Sequence, residues 1–309
     1  MSMIDPTLWL SVPVLALIGL CIGSFLNVVV YRLPLMLQRA WWSDVAAQLG
    51  DRDACLQTFG KKAPLHLSQQ AAEALDAGLK RLPPLNLSRP ASRCPACGHA
   101  IRWHENIPVL GWLRLRGRCS ACGASISPRY PLVEAGTGLL FALIGWRFGA
   151  QPVALLWCGM AAVLLAAALI DWDTTLLPDG LTLPLLWAGL IAAALGWTLP
   201  LREALWGAVA GYLSLWSITM LYKLLTGKVG MGAGDFKLLA ALGAWVGGSM
   251  ILPIVLGASL IGALAGIAMK LTGALREGMY VPFGPFLAGG GLLVVLAGPT
   301  RVMHWMGWA

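Results

Sequence analysis

Two sets of residues in this chain have the type and spacing for chemistry: acids that border apolar runs, and paired cysteines. The first acids close an apolar stretch, Ala-Ala-Ala-Leu-Ile-Asp171-Trp-Asp173-Thr-Thr-Leu-Leu-Pro-Asp179. The second location opens another, Gly230-Met-Gly232-Ala-Gly234-Asp235-Phe-Lys237. An ionisable group at membrane depth is costly and marks a functional site. Two facing carboxylates cannot both ionise comfortably, so they share a proton. The ionised member draws a proton from water, which attacks a peptide carbonyl; the protonated member hydrogen-bonds the carbonyl oxygen and helps the amine leave. Glycines ahead of Asp235 let the backbone lie close to an extended substrate.

The same acids admit plainer readings. Asp179 follows proline and precedes a helix, the place of an N-cap. Asp173 points away from Asp171 on a continuing helix and reads as a solvated acid. Asp235 can be an N-cap as well, and Asp171 a helix end in water. Spacing alone does not choose between these and a catalytic pair. The glycine run also mimics a nucleotide-binding loop, but no βαβ unit surrounds it.

The cysteines are more specific. Cys94-Pro-Ala-Cys97 and Cys119-Ser-Ala-Cys122 are matched CxxC pairs, followed by Gly98 and Gly123. Two intervening residues let both thiolates of a pair reach one ion, and four thiolates make a closed tetrahedral zinc site. Such a site supplies folding energy to a small loop-rich domain. Disulfides are disfavoured in a segment expected to be cytoplasmic, and a redox centre needs a single CxxC. His99 and His104 are spare ligands that read as surface residues. Cys21 and Cys158 read as packing residues, and Cys55 carries no signal.

The elements that must carry these residues follow from composition. Hydrophobic residues make up 58% of the 309 and charged residues 12%, about half the usual charged share. The chain reads as an all-α polytopic membrane protein of about eight transmembrane helices. Its domains are expected at 1–31 (first transmembrane helix), 32–131 (cytoplasmic, with the cysteines) and 132–309 (seven helices). The first apolar run covers Leu8 to Tyr31, and no Lys or Arg precedes it, so the N-terminus is expected outside. A short helix is expected around Gln69–Leu79. Further helices are expected near 132–148, 152–170, 180–198, 203–222, 235–248, 250–269 and 282–298. Alternating them puts 31–131, 171–179, 223–234 and 270–281 on the cytoplasmic side. Nineteen of the 22 Lys and Arg lie in or beside those segments, leaving Arg147, Arg202 and Arg301 opposite, as the positive-inside rule requires. Fourteen of them fall between Arg32 and Arg129. The net charge of +8 thus describes one loop, and no nucleic-acid partner is needed to explain it. Asp171 and Asp235, 64 residues apart, fall at the same depth.

In these residues the chain resembles the type IV prepilin peptidases, a family of membrane aspartic proteases. The similarity runs through Gly19-Leu-Cys-Ile-Gly23-Ser-Phe-Leu-Asn27-Val-Val-Val-Tyr-Arg32-Leu-Pro34, then Cys94 to Glu134 with Glu105-Asn-Ile-Pro108 and Arg129-Tyr-Pro-Leu-Val-Glu134. It continues through Asp171 with Pro178-Asp179, and Gly232-Ala-Gly234-Asp235 matches the family's GxGD motif. The resemblance implies a bifunctional enzyme of the bacterial inner membrane with its active site at the cytoplasmic face. It would remove the basic leader of type IV prepilins or type II secretion pseudopilins after a glycine. It would then methylate the new N-terminal amine with S-adenosylmethionine. By this match Asp171 and Asp235 are the catalytic pair, and Cys94, Cys97, Cys119 and Cys122 hold zinc. Gly111 stands where many relatives are expected to have serine.

No Rossmann glycine motif is present, so the methyl donor must bind otherwise; Gly117, Glu105 and Asn106 are the expected contacts. Asp173 is expected to attract the basic leader. Asp171, at a helix C-terminus, is expected to hold the shared proton, with Asp235 ionised at a helix N-terminus near Lys237. The rival class is a proton- or cation-coupled transporter that uses the same acids as a relay. A zinc-knuckle scaffold without chemistry is a second rival.

Overall fold

Glycines set how closely the helices of this chain approach. The computed structural model describes residues 9–273 and 281–308. The expected outer N-terminus, and most of the expected cytoplasmic segment 270–281, lie outside the described residues. Helix α1, Val12–Gly50, packs along α5, Arg129–Phe148. A Cβ on Gly19 would sit 2.7 Å from the Thr137 carbonyl oxygen, and one on Gly23 would sit 2.7 Å from Glu134 Cα. Any side chain there would push the two backbones apart, as at other small-residue helix contacts in membranes.

Helix α1 runs well past the apolar stretch and through Pro34. Polar contacts fasten this extension. Buried Arg32 donates to the carbonyl oxygens of Asn86 (3.0 Å), Leu87 (3.4 Å) and Pro90 (2.7 Å), and Arg39 donates to that of Pro83 (2.7 Å). Two further helices, α2 (Arg52–Phe59) and α3 (Leu65–Lys80), fold back against it, with Ala46 and Ala72 buried. The expected helix at 69–79 lies inside α3. A short α4, Leu110–Arg114, follows the first cysteine pair.

The remaining helices are α6 (Pro152–Thr174), α7 (Asp179–Ala194), α8 (Leu201–Thr226), α9 (Ala233–Val246), α10 (Ile251–Leu271), α11 (Gly284–Ala297) and α12 (Pro299–Trp305). The seven expected after residue 131 correspond to α5 through α11. No strand occurs among the described residues; two isolated bridges are found, Arg93 with Ala100 and Arg118 with Ser125.

At the centre lies α9, in which every residue from Leu238 to Val246 is buried. A helix apolar on all sides belongs inside a bundle. It packs against α7, α8 and α11. A Cβ on Gly207 would meet the Gly243 oxygen, one on Gly243 would meet that of Gly207, and one on Gly211 would meet that of Leu239. Trp245 Nε1 donates to the Leu185 oxygen at 2.9 Å, and its ring lies against Trp157.

Among the described residues, four helices are long and apolar enough to cross a membrane, or five if the pair α11–α12, bent by 111°, is one span. The chain is therefore a membrane protein, and two of its other apolar helices, α7 and α9, are short. With 16 and 14 residues, α7 and α9 reach only about 24 and 21 Å, against a hydrocarbon core of about 30 Å. Surrounded by protein rather than lipid, α9 can stop short, because irregular backbone is tolerated where protein covers it.

Candidate active site and metal centre

The two acids lie at the end of α6 and the head of α9. Asp171 lies in the last turn of α6 and is 5% exposed. Asp235 is the third residue of α9, close enough for the charge of Asp171 to act on it. The main-chain N–H of Gly284, first residue of α11, donates to Asp171 Oδ2 at 2.9 Å. Asp235 Oδ1 is buried and has no hydrogen-bond partner among the described residues. Leu177, in the turn from α6 to α7, packs against a glycine beside each acid. A Cβ on Gly234 would lie 2.7 Å from Leu177 Cβ, and one on Gly284 would lie 3.1 Å from Leu177 Cδ1. Of the GxGD glycines, then, Gly234 is needed for close approach, whereas Gly232 has open space around its Cβ position.

The neighbouring acids are exposed but ion-paired. Asp173 remains on α6, and both its oxygens accept from the Arg129 guanidinium at 2.8 and 2.7 Å. Asp179 makes no side-chain cap on α7; both its oxygens accept from Lys237 Nζ at 2.7 Å. Lys237 is thereby committed to Asp179. The two ion pairs tie α5 to α6 and α7 to α9.

The cysteine pairs fold as two matching turns. Cys94 N–H donates to the His99 oxygen and Gly98 N–H to the Cys94 oxygen, both at 2.9 Å; the second turn repeats this with Cys119 to Ala124 (2.8 Å) and Gly123 to Cys119 (2.9 Å). Gly98 and Gly123 take positive φ, 71° and 73°, a conformation that favours glycine. All four sulfurs lie within 4.8 Å of one another, with Cys94–Cys122 at 3.8 Å and Cys97–Cys119 at 4.0 Å. Tetrahedral metal–sulfur bonds of about 2.3 Å put sulfurs about 3.8 Å apart, so the cluster has the dimensions of a four-thiolate metal site. The Cys94 thiol is drawn down to about 7 by the N–H groups of Cys97 and Ala96. Cys97 has the N–H of His99 as a lowering contact, yet the neighbouring thiols, Cys122 foremost, and burial push it up to about 12. Sulfurs this close resist full ionisation unless a cation lies among them.

The residues between the two turns are heavily committed. Glu105 accepts from Arg102 N–H at 2.9 Å and lies 3.4 Å from His99 Nε2. The Ser120 hydroxyl first, then the Arg102 N–H and His99, hold its carboxyl down to about 2. His99, 3.4 Å from the Ser120 hydroxyl, thus links the two turns. Asn106 closes the turn that follows Glu105. Gly117, at φ 68°, lies under the Trp112 ring, where a Cβ would come within 2.8 Å. Gly111 also has a steric cause, because a Cβ there would collide with the Glu105 carbonyl oxygen; the serine expected in relatives does not fit this conformation. Two residues with site-building roles escaped the sequence reading. Glu134 is buried on α5 and accepts from Val109 N–H at 2.7 Å, tying the cysteine region to the membrane bundle. Gly284 touches Asp171, and nothing local in Pro-Phe-Gly-Pro announces a partner 113 residues away.

Comparisons with known proteins identify the family. The family described as "Bacterial Peptidase A24 N-terminal domain" matches residues 17–148, and the "Type IV leader peptidase family" matches residues 158–267. A prepilin leader peptidase/N-methyltransferase of Stutzerimonas stutzeri is 48% identical over 286 residues, covering 91% of this chain and 89% of its own. One from Pseudomonas aeruginosa is 48% identical with the same shares, and one from Neisseria gonorrhoeae is 41% identical, covering 96% and 94%. No solved structure matches. With both of its halves matched and relatives this similar along almost their whole length, the chain belongs to the prepilin leader peptidase/N-methyltransferase family.

Proposed function

We propose that Asp171 and Asp235 are the catalytic pair of this bifunctional peptidase and N-methyltransferase. The observation that carries the proposal is their convergence: a buried carboxylate at the end of α6 and a half-buried one at the head of α9 lie close enough for the charge of one to act on the other, although 64 residues separate them. Asp171 already receives the Gly284 N–H, while Asp235 Oδ1 has no donor among the described residues. This favours Asp171 as the ionised base and Asp235 as the proton-bearing acid, the reverse of the helix-dipole expectation. Asp171 takes a proton from water as its oxygen bonds to the carbonyl carbon, and Asp235 hydrogen-bonds the carbonyl oxygen. When the C–N bond breaks, the amine leaves with a proton from the pair.

The substrate is a type IV prepilin or a type II secretion pseudopilin, a hydrophobic helix with a basic leader. It enters from the lipid with its leader on the cytoplasmic side. The 19-to-3 distribution of basic residues supports eight spans and an active site at the cytoplasmic face of the inner membrane. Asp173 is neutralised by Arg129, so a basic leader must displace that arginine to use it. Cys94, Cys97, Cys119 and Cys122 are the residues to hold zinc, whose closed coordination shell makes it structural. Domains at 1–31, 32–131 and 132–309 remain the division proposed here, with the polar tail of α1 belonging to the second. S-adenosylmethionine is placed in that domain near Glu105, Asn106 and Gly117, which line the segment between the two cysteine turns.

Purified protein incubated with a prepilin and labelled methyl donor tests the reading. Leader release that disappears in Asp171→Asn and Asp235→Asn is the expected result. An unchanged leader in the parent protein favours the transporter, for which the same acids form a relay.

A further inference from the structure

Gly284 opens α11 after the sequence Pro282-Phe283, and its N–H is one of the donors that a helix N-terminus leaves unsatisfied. That donor bonds to Asp171 Oδ2 in a buried setting. Its Cβ position is closed as well, lying 2.6 Å from Asp171 Oδ2 and 3.1 Å from Leu177 Cδ1. Leu177 in turn presses on Gly234, the neighbour of Asp235. One leucine is therefore wedged between two glycines, one bonded to the first acid and one adjoining the second. Phe286 lies edge-on to Trp172, at 6.5 Å between ring centres, which fixes the head of α11 against the last turn of α6.

From this arrangement we infer that Gly284 is a positioning residue of the peptidase. Its N–H holds Asp171 Oδ2 in place, its missing side chain leaves room for that carboxylate, and Asp171 Oδ1 is left for the attacking water. The inference rests on the dyad reading above and adds a third chain segment to the site, the head of α11. Alanine would keep the N–H but drive a methyl group into the carboxylate. Proline would delete the N–H and fill the Cβ position as well.

The test uses the full-length enzyme in lipid, with kcat and KM for leader removal measured beside methyl transfer to an already cleaved pilin. Methyl transfer reports whether the fold survives. In Gly284→Ala and Gly284→Pro, kcat for cleavage should fall by about 100-fold, while KM and methyl transfer change by no more than about threefold. Gly289→Ala on the same helix, where a Cβ has open space, should leave both activities unchanged. The inference is overturned if cleavage persists in both Gly284 variants. It is equally overturned if cleavage and methyl transfer fall together in them while Gly289→Ala keeps both, since Gly284 would then be a packing residue. Asp171→Asn separates the two levels. Normal cleavage by that variant removes the dyad reading itself, whereas its loss beside normal cleavage in the Gly284 variants removes only the positioning role.

Discussion

The metal centre and the aspartate pocket are built by opposite strategies. Each cysteine pair is closed within about six residues by its own turn, and only 22 to 28 positions separate the sulfurs that meet across the site. The aspartate pocket draws on the end of α6, the turn at Leu177, the head of α9 and the head of α11, up to 113 residues apart. A local site survives changes in helix packing and fails when a ligand is lost. A distributed site has the opposite weakness, since it depends on every contact that sets helix depth and spacing.

That contrast can be broken most sharply by the acids themselves. Asp171→Asn or Asp235→Asn should lower leader cleavage by about 10³-fold or more, with bound metal and methyl transfer to a cleaved pilin intact. Cleavage and methyl-transfer assays on one preparation check this. Loss of the metal should act the other way. Cys94→Ser or chelation should loosen residues 94–126, seen as lost metal content and rapid proteolysis of that region, with both activities impaired. Structural zinc is worth about 10 kcal/mol or more in small metal-dependent domains, so full methyl transfer without metal would contradict the structural role.

Helix spacing gives the next effect. Gly207→Ala or Gly243→Ala places a methyl group on a facing carbonyl, and overpacking of this kind costs about 1–3 kcal/mol. The shift of α9 carries Asp235 with it, so cleavage should fall more than methyl transfer. The ion pair of Lys237 with Asp179, whose side chains are 28% and 56% exposed, should matter less. Lys237→Met should cost no more than about 1 kcal/mol in thermal unfolding. Smallest of all is Glu105→Gln. Glu105 is held at about 2, below its ordinary 4.5. Its ionised form therefore favours the folded state above pH 4.5, and this contribution fades as pH falls from there towards 2. The melting-temperature gap between Glu105→Gln and the parent should be constant near neutrality and close over that acid range.

Legibility in the sequence followed the same division. The two CxxC turns, their glycines and the helix bounds from Arg129 onward could be read because each depends on local spacing or on a continuous apolar run. The tail of α1 could not, since Arg32 and Arg39 bond to carbonyls 44 to 58 residues away and the helix runs on through a proline. Asp179 looked like an N-cap until Lys237, on a different helix, was found to occupy it. The dipole argument for Asp171 considered only α6 and missed the opposing N-terminus of α11. A criterion of length and composition counts four or five spans among the described residues, because α7 and α9 are shorter than the hydrocarbon core and α9 is enclosed by protein.

The central claim is that two carboxyl groups act as one unit. It is tested most directly by single-turnover cleavage of a prepilin by Asp171→Asn, Asp235→Asn and the double variant, each at matched protein levels. A functional pair predicts that both single variants drop to the same floor and that the double variant goes no lower. Losses that multiply in the double variant, or a single variant that cleaves at the parent rate, would contradict it.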